Sequence, residues 1–208
     1  VQPQRNGPCK AQFFKNEMRQ AEFPRADQTL GRGTQRHRQA DKIRLSQQPV
    51  EAATSGAMKG LDGGRLNIAS CSLGAAQAAL EQSLRYVDER KQFGKPLAEF
   101  QALQFKLADM LTALTASRQM VRLAAHKLDH QHPEASLYCA MGKRFATDQC
   151  FELCNEALQL HGGYGYLNDY PLERWVRDSR VHQILEGTNE IMRVIVARHL
   201  LNTEEELR

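Results

Sequence analysis

The sequence predicts an all-α fold, an antiparallel helical bundle, on three observations. From Ala57 onward, apolar residues recur every three or four positions over long stretches. The period-two alternation of a half-buried strand is nearly absent, and short breaks containing glycine or proline part the periodic stretches. A helix repeats every 3.6 residues, so this spacing gathers apolar side chains on one face, which must then be buried against another helix.

The first helix is predicted from Leu73, Ala76, Leu80, Leu84 and Val87, and it ends at the FGKP turn, where Gly94 and Pro96 break it. Leu103, Leu107, Met110, Leu114, Val121, Ala124 and Leu128 describe a second, stopped by the polar HQHPE stretch around Pro133. A third runs from about Glu134 through Leu137, Met141, Phe145, Phe151, Cys154 and Leu158 to Gly162 and Gly163. The last starts near Thr188, with Ile191, Met192, Ile195 and Val196 expected inside. Three helices of about 25 to 30 residues, each about 40 Å long, plus shorter ones joined by short connections, imply antiparallel neighbours.

Residues 1–56 read differently, as a polar, basic leader rich in Gln and Arg and without a sustained period, expected to be disordered by itself. It reads either as a basic tail for RNA or anionic lipid or as a solvated linker. The domain boundary is therefore placed at 57, with the bundle occupying 57–208. The chain opens on Val1 and shows no apolar secretory core, as expected of a fragment or partial product, so targeting is not legible in it.

With 208 residues, 41% hydrophobic and 25% charged, the chain is long enough to bury a core. The net charge of +4 is too small to argue for nucleic acid. No apolar run approaches the roughly 20 residues of a membrane span. Five cysteines, Cys9, Cys71, Cys139, Cys150 and Cys154, are odd in number and lack CxxC spacing, so neither a disulfide framework nor a zinc site is expected. Four of them lie in helical patterns and read as buried, reduced thiols. His126, His130 and His132 abut a polar helix end without an acidic or thiol ligand at a suitable spacing, and no metal is expected.

Three clusters are more polar or more glycine-rich than a plain bundle needs. In RKQFGKPLAEFQ, Arg90 to Gln101, Arg90 offers a planar fork suited to phosphate, Phe93 and Phe100 offer flat apolar faces, and Gln101 both donates and accepts; the other reading is a surface turn in which Arg90 serves helix carbonyls. In QLHGGYGYL, Gln159 to Leu167, the glycines either let a ligand approach the backbone or simply stop a helix. In ILEGTNEIMR, Ile184 to Arg193, Glu186 is either an acid favoured by a helix N-terminus or a base held in an apolar pocket, where lost hydration would raise its pKa. Thr188, Asn189 and Glu190 supply hydrogen-bonding groups at that helix start.

Taken in order, DGGR (Asp62 to Arg65), RKQFGKPLAEFQ, QLHGGYGYL and RDSRVHQILEGTNEIMR resemble the C-terminal half of an acyl-CoA dehydrogenase, over about Ala57 to Leu201. LNIASCSLGAA and RDSRVHQILEGTNE point within that family toward the branch acting on short branched-chain acyl-CoA, isobutyryl-CoA going to methacrylyl-CoA in valine catabolism. The resemblance implies FAD as cofactor and Glu186 as the base that removes the α-proton while the β-hydrogen leaves as hydride. It implies that the Glu186 N–H and a flavin ribityl hydroxyl hold the thioester oxygen. It assigns Arg90, Phe100, Gln101, Gln159, Leu160, His161, Gly162, Gly163, Thr188, Asn189 and Glu190 to the cofactor, partly across a subunit interface. It assigns Asp62, Gly63, Gly64, Arg65 and Arg198 to the acyl-CoA. A homotetramer, electron transfer flavoprotein as partner and the mitochondrial matrix follow from the same likeness. Family members carry an N-terminal helical domain and a middle β-domain ahead of this bundle; neither is recognisable in residues 1–56, as expected of a truncated form, an alternative transcript or an out-of-frame leader. A non-catalytic chain that keeps only bundle folding and assembly is the competing expectation.

Overall fold

The computed structural model describes the backbone of residues 50–206 and the side chains of residues 60–201. Five helices carry the fold: α1 (Val50–Glu89), α2 (Gln101–Asp129), α3 (Ala135–His161), α4 (Leu172–His182) and α5 (Asn189–Glu206). Between α1 and α2 lies a small antiparallel hairpin, β1 (Lys91–Gln92) and β2 (Lys95–Pro96), followed by a 3-10 turn at Leu97–Glu99; a second 3-10 turn, Gly162–Tyr166, closes α3. The all-α bundle expected from the sequence is therefore present. Of the predicted leader, residues 1–49 lie outside the described residues. Residues 50–56 form the first turns of α1. Glu51, Ala52 and Ala53 favour helix by themselves, and extending an existing helix needs no new nucleus.

Pairs of contacts fix how the rods run. Asp62 and Tyr86 of α1 meet Ser136 and His161 of α3, N-terminal part to N-terminal part and C-terminal to C-terminal, so α1 and α3 are parallel. The short α2–α3 turn makes α2 antiparallel to both, and Arg118 of α2 donates to Gln77 of α1 at 2.8 Å. The fourth rod is broken. Tyr170, just ahead of α4, packs on His161, Gln183 bonds Asp148, Asn189 bonds Thr147, and His199 meets Glu134. Thus α4 and then α5 descend antiparallel along α3, and residues 183–188 interrupt them opposite its middle. The sequence reading did not separate α4 as a helix of its own.

The core runs between α1, α2 and α3, through Leu73 and Leu80, Met110, Leu114 and Val121, and Leu153 and Leu160, with Leu172 of α4 joining it. Small residues on α1 and α3, among them Ala69, Ala76, Ala146 and Ala157, let the rods approach closely. Leu84 and Ile191, expected inside, are instead exposed, on helix faces that no described element covers. Cys139, Cys150 and Cys154 are buried as expected, while Cys71 is exposed. Burial pushes Cys139 and Cys150 up to about 12 and Cys154 to about 11, so these thiols stay protonated and unreactive. No helix among the described residues is long and apolar enough to cross a membrane.

Candidate functional site

The break in the fourth rod turns on two residues of unusual backbone conformation. Glu186 has φ +55° and Gly187 φ +89°, two successive left-handed residues that end one helical course and redirect the chain into the next. A left-handed glutamate is strained by roughly 1–2 kcal/mol, so other contacts must hold it. The Asn189 N–H donates to Gln183 O at 3.0 Å and closes the loop on itself. Thr188 stands just ahead of α5, its Oγ1 accepting from the Ile191 N–H at 3.4 Å, a side-chain cap on the helix start. Glu190 is exposed in the first turn, and hydrogen bonds from its own backbone N–H and from Thr188 hold its carboxyl below the usual range.

From beneath, α3 supplies the rest. Lys143, fully buried, donates from Nζ to Gly187 O and to Asn189 Oδ1, each at 2.8 Å. Asn189 Nδ2 donates to Asp148 Oδ1 at 2.6 Å and to Thr147 Oγ1 at 2.9 Å, and Gln183 Nε2 donates to the same Asp148 oxygen at 2.9 Å. Burial lowers Lys143 to about 8, a shift opposed by the charge of Asp148 and reinforced by Arg65. On the α4 side, His182 Nδ1 pairs with Ser72 Oγ at 2.8 Å, and burial holds its imidazole below the ordinary value.

The carboxylate of Glu186 rests against Gly64 of α1. A Cβ built at position 64 would fall 2.4 Å from Glu186 Oε2 and 2.6 Å from Cδ, closer than atoms can approach. The DGGR and LEGTN motifs are therefore one site. Within it, Asp62 and Arg65 are turned inward: Arg65 donates to Asp62 Oδ1 at 2.6 Å, Ser136 donates to Asp62 Oδ2 at 2.5 Å, and both side chains are buried. Gly63 and Gly64 are the more exposed elements of the motif. The Asn189 side chain is bound to Lys143, Thr147 and Asp148 of α3. The apolar pocket expected around Glu186 is not closed either: Ile184 is 51% and Leu185 42% exposed, facing away from the bundle. Arg198 is exposed farther along α5.

A second region lies at the other end of α1 and α3. An open cleft of about 640 Å³ is lined by Tyr86, Arg90, Gln92, Leu97, Gln159 to Tyr164 and Leu167. It joins two predicted clusters that are far apart in sequence. Arg90 stacks over the Tyr164 ring at 5.2 Å. Gly162 has φ +59°, and at both Gly162 and Gly163 a Cβ would meet nothing within 4 Å, so the backbone there is open to a ligand. His161 is buried, stacked on Tyr86 at 4.1 Å, its Nδ1 bonded to Ala157 O, and Leu160 is buried in the core; both serve the cleft from behind. Phe100 and Gln101 stand at the start of α2 and do not line it, although the Phe100 ring meets Phe93 edge-on at 6.3 Å. Phe93, with φ +52° and 93% exposure, tips the hairpin. Gly64 and Tyr86 sit on one helix about 33 Å apart, so cleft and carboxylate are separate places on the chain.

Sequence reasoning missed Lys143, Thr147 and Asp148. The signal for Lys143 was present: it follows Cys139 by four residues and precedes Ala146 by three, a lysine in the middle of an apolar stripe.

A family model described as the C-terminal domain of acyl-CoA dehydrogenase matches residues 54–201. The chain is 60% identical over 145 residues to mitochondrial isobutyryl-CoA dehydrogenase of Bos taurus and 56% identical over 144 residues to that of Dictyostelium discoideum. These matches take in 70% and 69% of this chain and 35% of each relative, so the chain spans about a third of their length. Among solved structures, butyryl-CoA dehydrogenase from Megasphaera elsdenii superposes with a TM-score of 0.68 at 44% identity, covering 70% of this chain and 38% of that one. With the helical order, the DGGR–LEGTN contact and the glycine-lined cleft, these likenesses establish that the chain belongs to the acyl-CoA dehydrogenase family, in its C-terminal domain.

Proposed function

We propose that this chain takes part in the α,β-dehydrogenation of a short branched-chain acyl-CoA, isobutyryl-CoA to methacrylyl-CoA, with Glu186 as the base that takes the α-proton. The observation that carries the reading is the seat of that carboxylate. It projects from a left-handed turn onto Gly64 of α1, where any side chain would collide with the carboxylate. A thioester laid along Gly63 and Gly64 would bring its α-carbon to Glu186 Oε2, and the backbone N–H of Glu186 is suited to hold the thioester oxygen, where charge develops as the proton leaves. Likeness to the isobutyryl-CoA dehydrogenases supports the acyl group, together with a place in valine catabolism and in the mitochondrial matrix.

Acyl-CoA dehydrogenases are FAD-dependent, and FAD when bound supplies the acceptor for the β-hydride. The chain has groups that suit such a ligand: a guanidinium at Arg90, open backbone at Gly162 and Gly163, and the polar end of Gln159 around one cleft. Thr188 and Glu190 stand beside the base. Gly64, which seats the base, and Tyr86, which lines the cleft, are about 33 Å apart along α1, farther than one dinucleotide reaches. That separation favours a cofactor shared between copies of the chain, as in a homotetramer, with Phe93, Phe100 and Gln101 facing a neighbour. Electron transfer flavoprotein is the proposed acceptor of the electrons.

A second reading has its own support. Exposure of Ile184 and Leu185 leaves the base beside water in the chain by itself. On this reading the chain folds and assembles but does not turn over. Glu186→Gln separates the two: loss of turnover with flavin retained supports the base, whereas a chain that assembles without binding FAD supports the second reading.

A further inference from the structure

Breaking a helical rod in mid-course leaves polar groups without partners, and here the break lies against the middle of α3. Gly187 O and the Asn189 side chain are the groups that need satisfying, and a single residue, Lys143, reaches both. An apolar residue at that position of α3 would pack among Cys139 and Ala146 without losing hydration, whereas a fully buried ammonium loses it all. Packing alone does not account for lysine there. Its two hydrogen bonds end on the residues that flank Thr188, directly after the base.

We propose that Lys143 is a positioning residue for Glu186, fixing the left-handed Glu186–Gly187 turn through Gly187 O and Asn189 Oδ1 and thereby the seat of the carboxylate over Gly64. The inference rests on the assignment of Glu186 as base. Lys143 acts through the backbone of the next residue rather than by touching the carboxylate. Asp148 completes the bracket from one turn farther along α3, accepting from Gln183 before the break and Asn189 after it. The charges that face the ammonium are Arg65 from α1, Asp148 from α3, His182 from α4, Glu186 in the loop and Glu190 on α5.

The test is amide hydrogen exchange on the full chain, comparing wild type with Lys143→Met, which keeps the length of the side chain and removes its donors. The Asn189 N–H, bonded to Gln183 O, is the reporter. Tenfold or faster exchange at Asn189 in the variant, with the amides of α3 unchanged, is expected; unchanged protection at Asn189 overturns the proposal. Lys143→Gln gives a second measurement, because it keeps an N–H donor at that position. Protection at Asn189 in that variant should lie between wild type and Lys143→Met, and equal protection in all three chains overturns the proposal as well. Neither readout needs turnover. Failure of the positioning role is thus seen in exchange, while failure of the base assignment is seen in the activity of Glu186→Gln.

Discussion

Gly64 and Glu186 are a matched pair: the carboxylate occupies the volume that any side chain at position 64 would fill, with Oε2 2.4 Å from where a Cβ would stand. Gly64 lies in the interior of α1, where alanine is favoured over glycine by about 1 kcal/mol. Gly64→Ala should therefore leave thermal stability equal or slightly raised. Displacing the carboxylate by even an ångström should lower turnover about a hundredfold. Paired melting and steady-state kinetics check this, and an active Gly64→Ala chain would remove the carboxylate from the chemistry.

Lys143 gives stability a pH dependence of definite sign. Its value is about 8 in the fold against 10.5 free in water, so between these pH values the unfolded chain holds a proton that the folded chain has shed. Stability accordingly rises with pH across that window, and the charged ammonium is the less favourable form below it. The full effect is on the order of 3 kcal/mol. Lys143→Met should abolish this component, measured as the difference between wild-type and variant urea unfolding at pH 7.5 and pH 10.

Two glycines of the second 3-10 turn should respond oppositely to alanine. At Gly165 a Cβ would meet Leu158 O at 2.6 Å and His161 Cβ at 2.9 Å, so Gly165→Ala should destabilise the fold by about 1–3 kcal/mol. At Gly163 nothing lies within 4 Å, and Gly163→Ala should change stability by less than about 0.5 kcal/mol. If the cleft receives the dinucleotide, Gly163→Ala should still weaken FAD binding tenfold or more. Urea unfolding and a flavin titration read the two effects separately.

How much of this was legible before the structure depended on how locally each feature is determined. The helices α2 and α3 show a strong period, and Pro133 marks the turn between them, so their ends fall within a residue or two of the sequence reading. The helix α4 was not separated, because Arg174, Arg177 and Arg180 dominate its sequence and only Leu172 and Ser179 are fully buried. Glu186 was legible through its motif. Its seat on Gly64 was not, since it joins residues more than a hundred positions apart. Lys143 was lost for a related reason: a lysine in a helix reads as surface, and only the later chain break shows what it bonds.

The measurement that bears most directly on the central claim is the visible absorbance spectrum of the purified chain supplied with FAD, before and after anaerobic addition of isobutyryl-CoA, for wild type and Glu186→Gln. A bound flavin band that bleaches in wild type and persists in Glu186→Gln is the result expected if Glu186 takes the α-proton. A band that bleaches equally in both would contradict that role, and the absence of any bound flavin would leave a bundle that folds and assembles without chemistry of its own.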